Sequence, residues 1–435
     1  MSSSTPYIPN TVADRQAMLA AIGVEAVEEL FADIPPEARN PVLRLPPPLP
    51  ELELRRELEK LASEDCLGEL TFLGGGRYQH FVPAVVRNMV SRGEFATAYT
   101  PYQPEISQGT LQAIFEFQSL TCQLMGMEVA NAGMYDGASA LAEACLMACR
   151  VTGRRQVLAL DTVSRRALEV ARTYTQALQI RIDTVPAFPR QVDADVAALV
   201  VQHPNCYGYL EAVEDAAAAA HAGEALLITS VDPISLGMLR PPGELGADLA
   251  VADGQSLGNP VAFGGPSVGL FASRQRFVRQ LPGRLVGQTV DLDGRTGYVL
   301  TLQTREQHIR REHATSNICT NDSLVAVAAT IYLAALGKGG LRQVAELCYH
   351  KAHYAAQKIA ALPGYRLPMA GTFFKEFVVS CPRPPQEINA RLLERGIVGG
   401  LDISDAVPNG MLLCVTELHR REDIDVLVAG LAAIP

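Results

Sequence analysis

The sequence predicts an α/β protein built on a mostly parallel sheet. Short apolar runs alternate with helical patterns through the middle of the chain, the signature of a parallel sheet covered by helices. Polar residues and glycines gather directly behind several of those runs, where open α/β sheets place their ligands. Scale supports the same picture. The chain has 435 residues, 48% of them hydrophobic and 19% charged, a composition that argues against global disorder and allows a large core. At roughly 100–200 residues per domain, two or three domains are expected.

The elements follow in order. Residues 1–65 read as an N-terminal helical arm. Thr11 to Asp14 offer cap residues before an amphipathic run from Arg15 to Ile22. Pro41–Pro50 is proline-rich and reads as extended linker, and Glu51–Ser63 is charged and helical in pattern. The arm's apolar stripe (Met18, Leu19, Ile22, Leu30, Phe31) has little core of its own, so the arm is expected to bury it against a partner surface. Residues 66–330 form a large domain with strand candidates at 157–160, 180–182, 197–201, 225–228, 248–251 and 268–271, and helices at 165–177 and 210–221. Residues 331–435 form a small C-terminal α/β domain: a long helix, a strand at 376–380, a helix at 385–395, a strand at 411–415 and a helix at 422–433.

Composition narrows the function. A net charge of -10 argues against nucleic-acid binding, which needs clustered positive charge. The nine cysteines are scattered without a CxxC pair. Cys145 and Cys149 lie one helical turn apart inside an apolar run, as small buried hydrophobes of a reducing compartment do, and no metal is expected. The N-terminus has no basic region followed by an apolar stretch, and no apolar run reaches the roughly 18–20 residues of a membrane span. The expected location is cytoplasmic, with no membrane partner.

Lysine is the informative residue. It occurs only at 60, 338, 351, 358 and 375, so nothing from Leu61 to Gly337 can form a Schiff base. Behind the strand candidates stand Gln202-His203-Pro204-Asn205, then Thr229–Pro233 with Asp232, then Ala252-Asp253-Gly254-Gln255-Ser256-Leu257-Gly258. Upstream, Tyr135-Asp136-Gly137-Ala138-Ser139 opens a helix whose free N–H groups suit an anion such as phosphate. Each segment alone is more often a plain turn or cap. Their order is what points to a site.

That order resembles the aspartate-aminotransferase-like fold of pyridoxal-phosphate (PLP) transferases. In that fold the helix-start loop holds the cofactor phosphate, an aspartate after a central strand pairs with the pyridine nitrogen, and a lysine after a later strand forms the Schiff base. The resemblance puts Asp232 in the aspartate's place and groups it with Asp136 and His203 in a vestigial cofactor pocket. Where the lysine would fall, Ala252–Gly258 holds glutamine and serine. Lys338 and Lys375, in a Gly-rich turn and the small-domain strand region, are not expected to replace it, so no Schiff-base lysine is expected.

Longer strings narrow the resemblance. They are Thr97-Ala-Tyr-Thr-Pro-Tyr-Gln-Pro-Glu-Ile-Ser-Gln-Gly109, Asn131-Ala-Gly-Met-Tyr-Asp-Gly137, Arg305-Glu-Gln-His-Ile-Arg-Arg-Glu-His-Ala-Thr-Ser-Asn-Ile-Cys-Thr320, Tyr7–Leu19 and Leu30–Pro35. Over almost the whole chain the sequence resembles subunit 1 of glycine dehydrogenase (decarboxylating), the P-protein α subunit of the glycine cleavage system. It departs from that pattern at Gly133 (usually serine), Ala96 (usually tyrosine) and His313 (usually lysine).

The resemblance implies a division of labour. Subunit 2 carries PLP, and this chain is the non-lysine partner, the two pairing as a dimer of heterodimers (a heterotetramer). The complex would decarboxylate glycine, release CO2 and pass the aminomethyl group to the lipoyl arm of the H-protein. The proline-broken polar loop at 99–108 is then expected to line the shared site, with Tyr99, Tyr102 and Glu105 as catalytic candidates. Thr100, Gln103, Gln108, His80, Arg310 and Asn317 are expected to face substrate or cofactor, arginine because it binds carboxylate by a bidentate fork. Bland readings stand beside these: a solvated connection for 99–108, a simple glycine turn around His80, and an ion-paired helix face for the arginines. Two other functions remain open on sequence: a self-sufficient PLP enzyme of another class, disfavoured by the missing central lysine, and a non-catalytic scaffold.

Overall fold

The computed structural model describes residues 9–39, 41–65, 70–189 and 192–434. Tyr7 and Ile8 of the N-terminal string lie outside the described residues. The chain divides into two compact units, Met1–Cys66 and Leu67–Pro435.

In the first unit, α1 (Val12–Ile22) begins with a reciprocal capping box. Thr11 Oγ1 accepts from the Asp14 N–H, and the Asp14 carboxylate accepts from the Thr11 N–H at 2.8 Å. It stops at Gly23, whose φ of 87° only glycine adopts freely. The second helix, α2 (Glu51–Glu64), starts behind Pro50. Neither helix buries a residue. Met18, Ile22, Leu30 and Phe31 are exposed, as are Leu52, Leu54, Leu58 and Leu61 along α2.

The second unit is organised by a seven-stranded sheet. Its strands are β1 (Val129–Ala130), β2 (Gln156–Leu160), β3 (Arg181–Val185), β4 (Val196–His203), β5 (Leu226–Val231), β6 (Leu249–Asp253) and β7 (Gly269–Ser273). The spatial order is β1-β7-β6-β5-β4-β2-β3. Pairing is parallel from β3 through β6, and β7 and β1 close one side antiparallel. β4 is buried at all but one position, because a parallel sheet is covered on both faces. The cover includes α3 (Gln108–Met125), α4 (Gly137–Thr152), α5 (Arg165–Thr175) and α6 (Val213–Ala222). Cys145 and Cys149 are buried in α4 without a disulfide.

Beyond the sheet comes a hairpin, β8 (Leu285–Val290) and β9 (Thr296–Thr301), which the strand patterns did not predict. The helix α7 (Ser323–Ala360) follows, broken at Gly337 (φ 60°, ψ -177°). By length and composition it can cross a membrane, which corrects the expectation that no apolar run is long enough. Half of its most apolar window is buried, including Val325, Ala329 and Tyr332, and a helix apolar all round is as much a core helix as a span. The chain ends in an antiparallel sheet, in the order β10 (Glu376–Ser380), β12 (Gly410–Cys414) and β11 (Leu401–Asp402). The helices α8 (Pro385–Leu393) and α9 (Arg421–Ala432) flank it.

Two cores result. One fills the space around the seven-stranded sheet, and the second joins Phe72, Ile359, Phe377, Leu413 and Leu427. Phe72 belongs to the second because Leu70–Thr71 pairs in parallel with Ile397–Val398. The segment 70–72 therefore packs with the C-terminal part of the chain, in a two-stranded sheet of its own, rather than on the large sheet.

Candidate functional site

The carboxyl ends of β5 and β6 meet the start of α4 at a cavity of about 300 Å³. Asp136, Asp232 and Asp253 line it, with Arg77, Gln255 and Lys375. Local chemistry fixes each carboxylate. Asp136 caps α4, its side chain accepting the Ser139 N–H at 2.7 Å. Asp232 follows β5 and turns one oxygen back to the Ile234 N–H at 3.0 Å. Asp253 ends β6 and reaches the first turn of α4, accepting the Gly137 N–H at 3.0 Å. A Cβ at Gly137 would sit 2.8 Å from the Asp253 backbone nitrogen, so only glycine allows this approach.

The sixth group arrives from far along the chain. The segment leading into β10 runs antiparallel to the loop after β4, with Tyr209 bridged to Phe373. The Phe374 N–H donates to the Gly208 carbonyl at 2.9 Å, and the Leu210 N–H to the Thr372 carbonyl at 2.9 Å. Gly208 has φ +90°, and any Cβ there would lie 2.0 Å from the Glu376 carbonyl oxygen. This contact swings Lys375 into the cavity. Its Nζ lies 2.8 Å from Asp232 Oδ2, 3.0 Å from His80 Nε2 and 3.6 Å from the Tyr78 ring centroid. Only 1% of Lys375 is exposed.

The pair extends into a buried chain. His80 Nδ1 lies 2.7 Å from Glu417 Oε2, whose other oxygen accepts the Phe81 N–H at 2.7 Å. The Cys348 thiol points at the same carboxylate at 3.4 Å. Burial drives the His80 pKa down, and the Lys375 charge adds to that. A neutral ring is also what the geometry requires, since Nε2 must accept from the Lys375 ammonium while Nδ1–H donates to Glu417. Burial opposes the Glu417 charge, but the His80 and Phe81 hydrogen bonds hold its pKa down at about 2. Burial likewise opposes the Lys375 charge, yet Asp232 beside it lifts its pKa above the ordinary lysine value. An ammonium held in this way is no nucleophile.

Beside it, Glu376 accepts from the Tyr78 hydroxyl at 2.7 Å and the Gly75 N–H at 2.6 Å. Gln255 hydrogen-bonds both ways to the Tyr78 backbone at 2.9 Å. Asp253 is saturated as well: Arg77 Nη1 at 2.9 Å, Ser267 Oγ at 2.7 Å and the Gln255 N–H at 3.0 Å all donate to Oδ1.

A second cluster forms on the outer side. Tyr102 accepts at its hydroxyl from Arg284 Nη2 at 2.8 Å and meets the His308 ring edge-on at 5.2 Å. Arg284 is buried, pairs with Glu306 at 3.6 Å and donates to the Cys319 carbonyl. Thr100 and Thr320 share a hydroxyl contact at 3.1 Å. Gln108 ties the loop to β9, with Nε2 donating to the Tyr298 carbonyl and Oε1 accepting its N–H, each at 2.9 Å. The two strings 97–109 and 305–320 are therefore one surface. On it Tyr99, Gln103 and Glu105 are exposed, and their side chains make no hydrogen bond or ion pair among the described residues. Tyr99 keeps 78% of its surface open.

Other expected residues lie elsewhere. His203 does not line the cavity; Gln202, Pro204 and Asn205 do. Side chains alternate along a strand, and the buried His203 ring instead accepts the Glu211 N–H at 3.1 Å. His80 joins the Lys375 network, not the 99–108 surface. Arg310 is exposed. Asn317 edges a separate groove with Tyr135, Glu143 and Ser316. Sequence reasoning missed Lys375, Glu376, Glu417 and Arg284. The available signal was chemical: Asp232 in an apolar fold needs a cation, and few lysines exist to supply one.

The profile of the glycine cleavage system P-protein family matches residues 5–431. The chain belongs to the glycine cleavage system P-protein family. A probable glycine dehydrogenase (decarboxylating) subunit 1 of Thermomicrobium roseum is 55% identical over 441 residues, covering 98% of each chain. Its counterpart in Moorella thermoacetica is 51% identical, covering 98% of this chain and 99% of that one. A crystal structure of glycine decarboxylase (P-protein) in inhibitor-bound form matches with a TM-score of 0.94 at 46% identity, over 99% of this chain and 100% of that one. A cysteine desulfurase from Thermococcus onnurineus, at 15% identity and TM-score 0.60 over 83% of this chain and 94% of that one, shares the fold. The architecture is the PLP-transferase fold expected from the order of segments.

The cavity of this P-protein chain does not fit PLP. Asp232 is already paired with Lys375, and the Gly137 N–H at the start of α4 is already taken by Asp253.

Proposed function

We propose that this chain is the non-lysine subunit of a two-subunit P-protein. With subunit 2 it decarboxylates glycine, releases CO2 and transfers the aminomethyl group to the lipoyl arm of the H-protein, PLP being held by subunit 2. The observation that carries this reading is the pair of charges already engaged inside the cavity: Asp232 is paired with Lys375, and Asp253 with Arg77 and the Gly137 N–H. The exposed apolar stripe of the arm supports a permanent partner, and obligate interfaces commonly bury more than ~2,000 Å². A dimer of heterodimers in the cytoplasm is the assembly we propose.

In this reading the chain's own groups act at the outer surface. Arg284, fixed by Glu306 and the Cys319 carbonyl, holds Tyr102 and so sets the loop. Thr100 and Gln108 fasten the loop at both ends. Tyr99 and Glu105 are left free to meet substrate or the lipoyl thiols, and Arg310 offers a cation for a carboxylate. Water is excluded only when the partner covers this face. The test is glycine–bicarbonate exchange with each subunit alone and mixed, alongside light scattering. Exchange restored only on mixing, with a hetero-oligomer formed, is expected. Exchange by this chain alone with added PLP overturns the reading.

A further inference from the structure

We propose that Lys375 and Asp253 are built-in stand-ins for the two charged ends of a cofactor, and that they both hold the cavity together and bar PLP from it. This rests on the reading that the partner carries PLP, and explains how this chain does without one.

Each end of PLP makes its own demand on a site. Its protonated ring nitrogen needs an anionic carboxylate after the central strand, and its phosphate needs unsatisfied N–H groups at a helix start with positive charge nearby. Both requirements exist here and both are met from within. The carboxylate is Asp232, and the cation on it is Lys375 Nζ at 2.8 Å. The helix start is Gly137, and the anion on it is Asp253 Oδ2 at 3.0 Å, with Arg77 Nη1 at 2.9 Å completing the charge balance. Removing a cofactor from such a cavity would otherwise leave Asp232 as a nearly buried carboxylate without a counter-charge, which is strongly destabilising.

The same two residues connect chain segments that are distant in sequence. Lys375 precedes β10 and bonds to Asp232 behind β5, and through His80 it reaches Glu417. Asp253 ends β6 and holds Arg77 of the glycine turn at 74–76. The turn is fastened again by Gln255 to Tyr78 and by Glu376 to Gly75. The loop 75–80, the end of β6 and the start of β10 are thus locked by the charges that would otherwise have to be broken to admit a ligand.

The experiment uses the full chain and PLP itself, with two readouts: melting temperature and equilibrium dialysis of PLP. Wild type is expected to show no PLP-dependent shift and no stoichiometric binding. Lys375→Met leaves Asp232 uncompensated and should melt several degrees lower, whereas Lys375→Met/Asp232→Asn removes both charges and should recover most of that loss. Lys375→Ala/Asp253→Ala frees both anchors and should bind PLP at least tenfold more tightly than wild type, with a PLP-dependent rise in melting temperature. If that variant does not fold, Lys375→Ala alone, with one anchor free, must still gain PLP affinity over Lys375→Met/Asp232→Asn. Stoichiometric PLP on wild type overturns the underlying reading as well. No PLP on wild type and none on either Ala variant overturns the stand-in proposal alone, as does a Lys375→Met/Asp232→Asn variant as unstable as Lys375→Met.

Discussion

The cavity at the strand ends and the loop surface at 97–109 share a fold but have opposite polar economies. In the cavity the buried charges are consumed, Lys375 by Asp232 and His80, Asp253 by Gly137, Arg77 and Ser267, and Glu417 by His80 and Phe81, while the exposed Arg166 has no partner among the described residues. On the loop surface, buried Arg284 together with Thr100 and Gln108 does the fastening and the tips stay free. Tyr99 and Glu105 are exposed, with no side-chain hydrogen bond or ion pair among the described residues. The lesson is that burial of polar groups in a cofactor-shaped place is no sign of catalysis when each group is already matched. Unspent groups on a rigidly held loop are the better sign.

The largest expected effect breaks the anchor of the outer surface. Arg284→Met removes the counter-charge of the nearly buried Glu306 along with the bonds to Tyr102 and the Cys319 carbonyl. A loss of about 3–5 kcal/mol is expected in denaturant unfolding, together with loss of exchange. If stability holds and only exchange falls, Arg284 belongs to the free groups of the comparison rather than to its fixed base.

Substitutions at the loop tips should separate chemistry from structure. Glu105→Gln should lower exchange by about 10- to 100-fold, equivalent to ~1.4–2.7 kcal/mol, with unchanged melting temperature and intact assembly. Tyr102→Phe loses an acceptor for Arg284, so it should cost stability as well, about 1.5 kcal/mol, and reduce exchange roughly tenfold. Equal thermal losses at both positions would mean the loop merely supports the fold.

Acid should find the inner cavity more gently. The folded His80 pKa lies below its unfolded value, so the unfolded chain takes up the proton first and stability falls as pH drops below about 6.5. Glu417 adds a second decline between about 4.5 and 2. Melting temperature measured against pH should fall more steeply below about pH 6.5 for wild type than for His80→Gln. Equal slopes throughout would remove His80 from the network's energetics.

Much of the fold was legible because its strands are buried on both faces. The run at 197–201 sits inside β4, the run at 225–228 overlaps the start of β5, and the strand at 376–380 coincides with β10. β8 and β9 were missed although Asp293-Gly294 is a hairpin signal, since their alternating, half-polar residues make no apolar run. At the site, Asp136 and Asp232 could be read because they directly follow the elements that place them. Lys375 could not, because its position depends on the approach of Gly208 to residues 374–376, a contact between segments far apart in sequence. The pairing of Tyr102 with Arg284 was hidden for the same reason. His203 was misplaced by one residue of strand alternation.

The central claim is that this chain contributes surface and fixed charge while its partner contributes the cofactor amine. Borohydride reduction of the assembled, PLP-loaded complex, followed by peptide mapping of both subunits, tests it most directly. The account expects one pyridoxyl-lysine per pair, on subunit 2, and an unmodified Lys375. A stoichiometric pyridoxyl adduct on Lys375 would contradict it.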